Sequence, residues 1–106
     1  MTTKSKTKKF LENLNKGPLT IGAFLWSIRE GEGLSMAAFA KQLGISRSHL
    51  NDIEKGRKPV SPQKAAEYAK ILGYSEQQFI RLALQDLLIR NDLVEYEVDL
   101  TKKKGA

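Results

Sequence analysis

The sequence predicts an all-α fold of five short helices, with a short β-strand near the C-terminus, and three observations carry that prediction. Apolar residues recur at helical spacing in each segment between residues 20 and 90. Thr or Ser precedes every such segment and Gly follows the first, second and fourth, so starts and stops are both marked. Only Leu93–Leu100, LVEYEVDL, alternates with a period of two. At 106 residues the chain has room for one core and not for two.

Residues 1–9 are Lys, Thr and Ser after Met1 and lack the apolar surface to order themselves. Two readings stand for the 1–19 arm: a solvated tail, or a basic arm that touches phosphate or minor groove. Phe10, Leu11 and Leu14 make at most one helical turn, ended by Gly17-Pro18. Thr20 caps a helix over Ile21–Glu30 that buries Ile21, Phe24, Leu25 and Ile28. Trp26 lies off that stripe and is expected to cover the Phe10 segment.

Ser35 caps Met36–Leu43, whose buried face is Phe39, Ala40 and Leu43, and Gly44 supplies the left-handed stop. Ile45 plugs the core and Ser46 caps a third helix, in which Leu50 and Ile53 are the sole apolar residues. So narrow a stripe exposes Arg47, Ser48, His49, Asn51, Asp52 and Lys55, side chains suited to base edges and phosphates. Two helices joined by a Gly-containing turn, the second polar outside, form the helix-turn-helix pattern. The Gly56–Val60 loop carries Arg57 and Lys58 directly behind that helix, either as a phosphate clamp or as two solvated charges.

Ser61 caps a fourth helix, Pro62–Leu72, that buries Ala65, Ala69 and Leu72 before Gly73. Ser75-Glu76-Gln77-Gln78 fits a capping box, with Gln78 reaching back to the cap amide. The fifth helix, to about Arg90, carries Phe79, Ile80, Ala83, Leu84, Leu87 and Leu88, a stripe wider than four small helices need. Leu84, Leu87 and Leu88, with Val94, Tyr96 and Val98 on one face of the strand, are therefore the expected dimer or partner interface. A lone strand must find another edge, in a second copy or in another protein; otherwise the run is a tail that merely alternates.

The run Leu34-Ser35, Phe39-Ala40-Lys41-Gln42-Leu43-Gly44-Ile45-Ser46-Arg47-Ser48, Leu50 and Ile53-Glu54-Lys55-Gly56-Arg57 resembles the Cro and lambda-repressor-like helix-turn-helix family. Ile28-Arg29, Pro59, Ala69 and Leu72-Gly73 extend the resemblance over roughly residues 21 to 88. Met36 departs from it, standing where many relatives have a polar residue, often Gln. The resemblance implies a five-helix domain over residues 20–90 whose third helix enters the major groove; the C-terminal segment, 91–106, lies beyond it and is assigned to dimerisation or partner binding from its alternation and the surplus stripe of the fifth helix. The resemblance implies base contacts from Arg47, Ser48, Asn51 and Asp52, with His49 at the margin; Asp52 fits that set by accepting from a cytosine amine or by pairing with Arg47. Phosphate contacts are expected from Lys41, Lys55, Arg57 and Lys58 and around Ser35, Ser46 and Ser61. It also implies that Glu54 pairs with a cation such as Arg29.

The net charge of +6 is carried by the ends: seven lysines lie in residues 4–9 and 102–104, which leaves 11 basic against 12 acidic groups between them. Distribution says more than the total. Lys41–Lys58 holds five bases against Asp52 and Glu54, whereas Asp92–Asp99 holds four acids and no base. Without cysteine and with one His, thiolate and most metal sites are excluded and no cofactor is expected. No nucleophile or acid/base pair is assembled, so no enzyme and no small-molecule substrate is expected. The N-terminus lacks a signal-peptide stretch and no apolar run suits a membrane, so a cytoplasmic protein is expected. The expected partners are double-stranded DNA and a second copy of the chain. The first functional reading is a sequence-specific DNA-binding regulator, a repressor; the alternative is an antitoxin that neutralises a protein toxin and represses its own operon.

Overall fold

Each of the five helices among the described residues begins on a side-chain hydroxyl that accepts from the amide three residues on, satisfying a donor the helix cannot. The computed structural model describes residues 20–105. Thr20 caps α1 (Ile21–Gly31), Ser35 caps α2 (Met36–Leu43) and Ser46 caps α3 (Arg47–Glu54). Ser61 caps α4 (Pro62–Leu72), with Pro62 in the first turn, and Ser75 caps α5 (Glu76–Arg90). Gly44 and Gly73 end α2 and α4 at φ 74° and 76°, a backbone that side chains with a Cβ reach only under strain. The capping hydroxyl of Ser75 is as expected, but the Gln78 carboxamide oxygen accepts from Arg81 Nε (3.4 Å) rather than closing the box.

The described chain divides into two units, residues 20–59 and 60–105. In the first, α1 and α2 both pack on α3. Its buried side chains are Ile21, Phe24, Leu25 and Ile28 from α1, Phe39, Ala40 and Leu43 from α2, and Leu50 and Ile53 from α3. Gly22 sits where α1 meets the last turn of α3: a Cβ there would overlap the carbonyl oxygen of Ile53 and lie 3.1 Å from its carbon. Trp26 is half-buried. The 1–19 arm, the Phe10 turn and the cover expected for Trp26 lie outside the described residues.

In the second unit α4 packs on α5 around Ala65, Tyr68, Ala69, Phe79, Leu82 and Ala83. Tyr68 takes the buried place expected of Leu72, which is half-buried; burial raises the Tyr68 phenol above its ordinary value. The strand expected over Leu93–Leu100 does not form, and there is no strand among the described residues. Asp92, at φ 59°, turns the chain after α5, and Tyr96 N then donates to Leu93 O (3.2 Å). Buried Gln85 supplies what a neighbouring strand would have supplied: its Nε2 donates to Tyr96 O (2.8 Å) and its Oε1 accepts from Val98 N (2.8 Å). Gln77 Nε2 likewise donates to Leu100 O. A carboxamide carries the same donor and acceptor as a peptide group, so one side chain closes the bridge that the alternation called for.

Candidate nucleic-acid interface

The placement of α3 follows from how little of it is apolar. Leu50 and Ile53 are buried, at 0% and 1% exposure, and fix which side faces in. Glu54 joins them: its side chain is 3% exposed and grips Arg29 of α1 through Nε (2.9 Å) and Nη2 (3.0 Å), while Arg29 Nη1 donates to Leu34 O (3.1 Å). The Glu54 hydrogen bonds hold the Arg29 guanidinium above its ordinary value, against the opposing effect of burial. This is the pair that the family resemblance implied. It ties the end of α1, the entry to α2 and the end of α3 together with one fork.

Of the remaining side chains of α3, Arg47 and Ser48 are exposed and His49, Asn51 and Asp52 half-buried, with Lys55 exposed at the C-cap. Arg47, Ser48 and Asn51, together with Met36 at the start of α2, line an open groove. Met36 was legible only as a departure from the family pattern; in space it forms the apolar wall of that groove. Lys41, in the last turn of α2, is exposed. The hydroxyls of Ser35, Ser46 and Ser61 each accept from a helix amide (3.0–3.1 Å), so each still has its O–H to donate outward. Ser61 belongs to the second unit.

Asp52 is engaged with the loop behind α3 and not with Arg47. Its Oδ1 accepts from Arg57 Nε (2.9 Å) and its Oδ2 lies 3.7 Å from Lys58 Nζ. Its backbone carbonyl accepts from the amides of Arg57 (2.8 Å) and Lys58 (3.2 Å), with Gly56 left-handed between helix and loop. The Arg57 hydrogen bond, with the nearby charges of Arg57 and Lys58, holds the Asp52 carboxyl below its ordinary value. Residue spacing did not reveal this partner, because the contact depends on how the loop folds back.

Leu87, Val94 and Tyr96 of the expected partner surface are exposed, at 49%, 60% and 59%, whereas Leu84, Leu88 and Val98 are half-buried. Among the described residues no three His, Cys, Asp or Glu side chains gather as metal ligands, and no helix is long and apolar enough to cross a membrane. Residues 27–79, half of the chain, match the model of a helix-turn-helix family. No curated protein and no solved structure matches the chain.

Proposed function

The chain belongs to the Cro and lambda-repressor-like helix-turn-helix family, and on that premise we propose that this DNA-binding regulator is a sequence-specific repressor, acting in the cytoplasm, that reads the major groove with α3. The observation that supports this reading is the division of α3 itself. Leu50, Ile53 and Glu54 are taken inward, and Arg47, Ser48 and Asn51 are left beside an open groove. Arg47 offers a two-pronged donor for guanine O6 and N7, and Asn51 matches adenine N6 and N7. Ser48 completes that set, and His49 stands at its margin. Lys41, Lys55, Arg57 and Lys58 flank it and carry no base information, so they hold the phosphates.

The test compares binding of the wild type and of Arg47→Ala to a site selected from a random library and to random duplex. Loss of about 1–3 kcal/mol on the selected site alone is expected for a base contact; equal loss on both makes Arg47 a phosphate contact.

One recognition helix reads only a few base pairs, so the working form is a homodimer presenting two helices about 34 Å apart on one side of the duplex. Exposed Leu87, Val94 and Tyr96 support an interface on the second unit. The same exposed side chains support the second reading, an antitoxin whose partner is a protein toxin. Sedimentation at micromolar concentration decides between them: a dimer supports the repressor, and a monomer that co-purifies from its host with a second small protein supports the antitoxin.

A further inference from the structure

Four contacts converge on one residue in the last turn of α3. The Asp52 carbonyl holds the amides of Arg57 and Lys58, and its carboxylate holds the Arg57 side chain and approaches that of Lys58. Arg57 spends Nε on this contact, and its side chain remains 55% exposed. A carboxylate among groups meant for phosphate is otherwise a liability.

We propose that Asp52 is a positioning residue that latches the Gly56–Lys58 loop to α3, so that Arg57 and Lys58 engage phosphate only when α3 is seated in the groove. Resting on the DNA-reading assignment above, it moves Asp52 from the base-reading set to the control of specificity. With the latch closed, both cations are held in fixed register with Arg47, Ser48 and Asn51, and part of their charge is neutralised. A seated helix brings the phosphates to them. On random duplex, where α3 does not seat, the latched cations are held back from the backbone.

Asp52→Asn keeps the shape and removes the charge. Binding to random duplex is expected to tighten about three- to fivefold, the size of a surface ion-pair competition, and binding to a library-selected site to tighten less, so discrimination falls. The salt slope on random duplex is expected to steepen by up to about one unit, one further phosphate contact. The decisive comparison repeats Asp52→Asn in a chain already carrying Arg57→Ala and Lys58→Ala, where the effect is expected to vanish. An effect of equal size in that background overturns the proposal, because Asp52 would then act directly on the phosphates. A change of preference at one base pair also overturns it, because Asp52 would then read a base. Circular dichroism and thermal melting establish that each variant is folded. If Asp52→Asn does not fold, Arg57→Lys, which keeps the charge and removes the Nε donor, carries the same comparison: unchanged binding to random duplex overturns the latch. Failure of the wild type to bind any duplex would sink the DNA-reading assignment itself, a result distinct from all of these.

Discussion

Arg29 of α1 and Glu54 of α3 face each other as a two-bond fork, at 2.9 and 3.0 Å, with side-chain exposures of 12% and 3%. Removing one partner strands the other charge out of water. Arg29→Ala is expected to destabilise the fold by about 3 kcal/mol, read by urea denaturation. The double replacement Arg29→Met with Glu54→Leu is expected to recover most of that loss, since it removes both charges at once. A double variant no better than the single one would mean that the fork also supplies a net attraction.

Gly22→Ala is expected to destabilise by about 1–3 kcal/mol, the cost of overpacking, despite the better helix propensity of Ala. The added methyl would overlap the Ile53 carbonyl oxygen, which is backbone and cannot rotate away. A melting temperature equal to or above that of the wild type would rule out the close approach.

Gln85→Ala is expected to release the segment after α5 while α4 and α5 stay paired. The Val98 amide loses its acceptor and Tyr96 O its donor. Hydrogen exchange at Val98 should quicken about tenfold, the equivalent of one hydrogen bond of local stability. Retained protection at Val98 would place the bond elsewhere.

The Asp52 carboxyl is expected to titrate below its ordinary value in an NMR titration, because Arg57 donates to its charged form. A folded-state value below the unfolded one means that the contribution is complete above the unfolded value and is lost as pH falls through the folded one. The latch should therefore be intact at neutral pH and open in strong acid. Arg57→Ala should return the titration toward the ordinary value, and an unmoved curve would deny the contact.

What local chemistry decides was legible from residue order. Thr20, Ser35, Ser46, Ser61 and Ser75 cap where the spacing said they would, and Gly44 and Gly73 stop their helices in the left-handed conformation. The buried faces of α1, α2 and α3 followed from the 3.6-residue period. Contacts set by loop return and by backbone approach were not legible. Gly22 looked like any helical glycine, although glycine inside a helical pattern is a signal of close packing. Over Leu93–Leu100 the alternation was there, but its hydrogen-bond partner proved to be a glutamine side chain, which periodicity does not register. Asp52 found Arg57 and not Arg47 for the same reason: the loop brings Arg57 back to the helix.

Because Leu50, Ile53 and Glu54 are taken into the packing while Arg47, Ser48 and Asn51 line an open groove, the helix separates its mounting from its lettering. Exchanging the three outward residues leaves every anchoring contact in place. If these residues read bases as proposed, sequence preference in this scaffold can be rewritten, by evolution or by grafting, without renegotiating the fold.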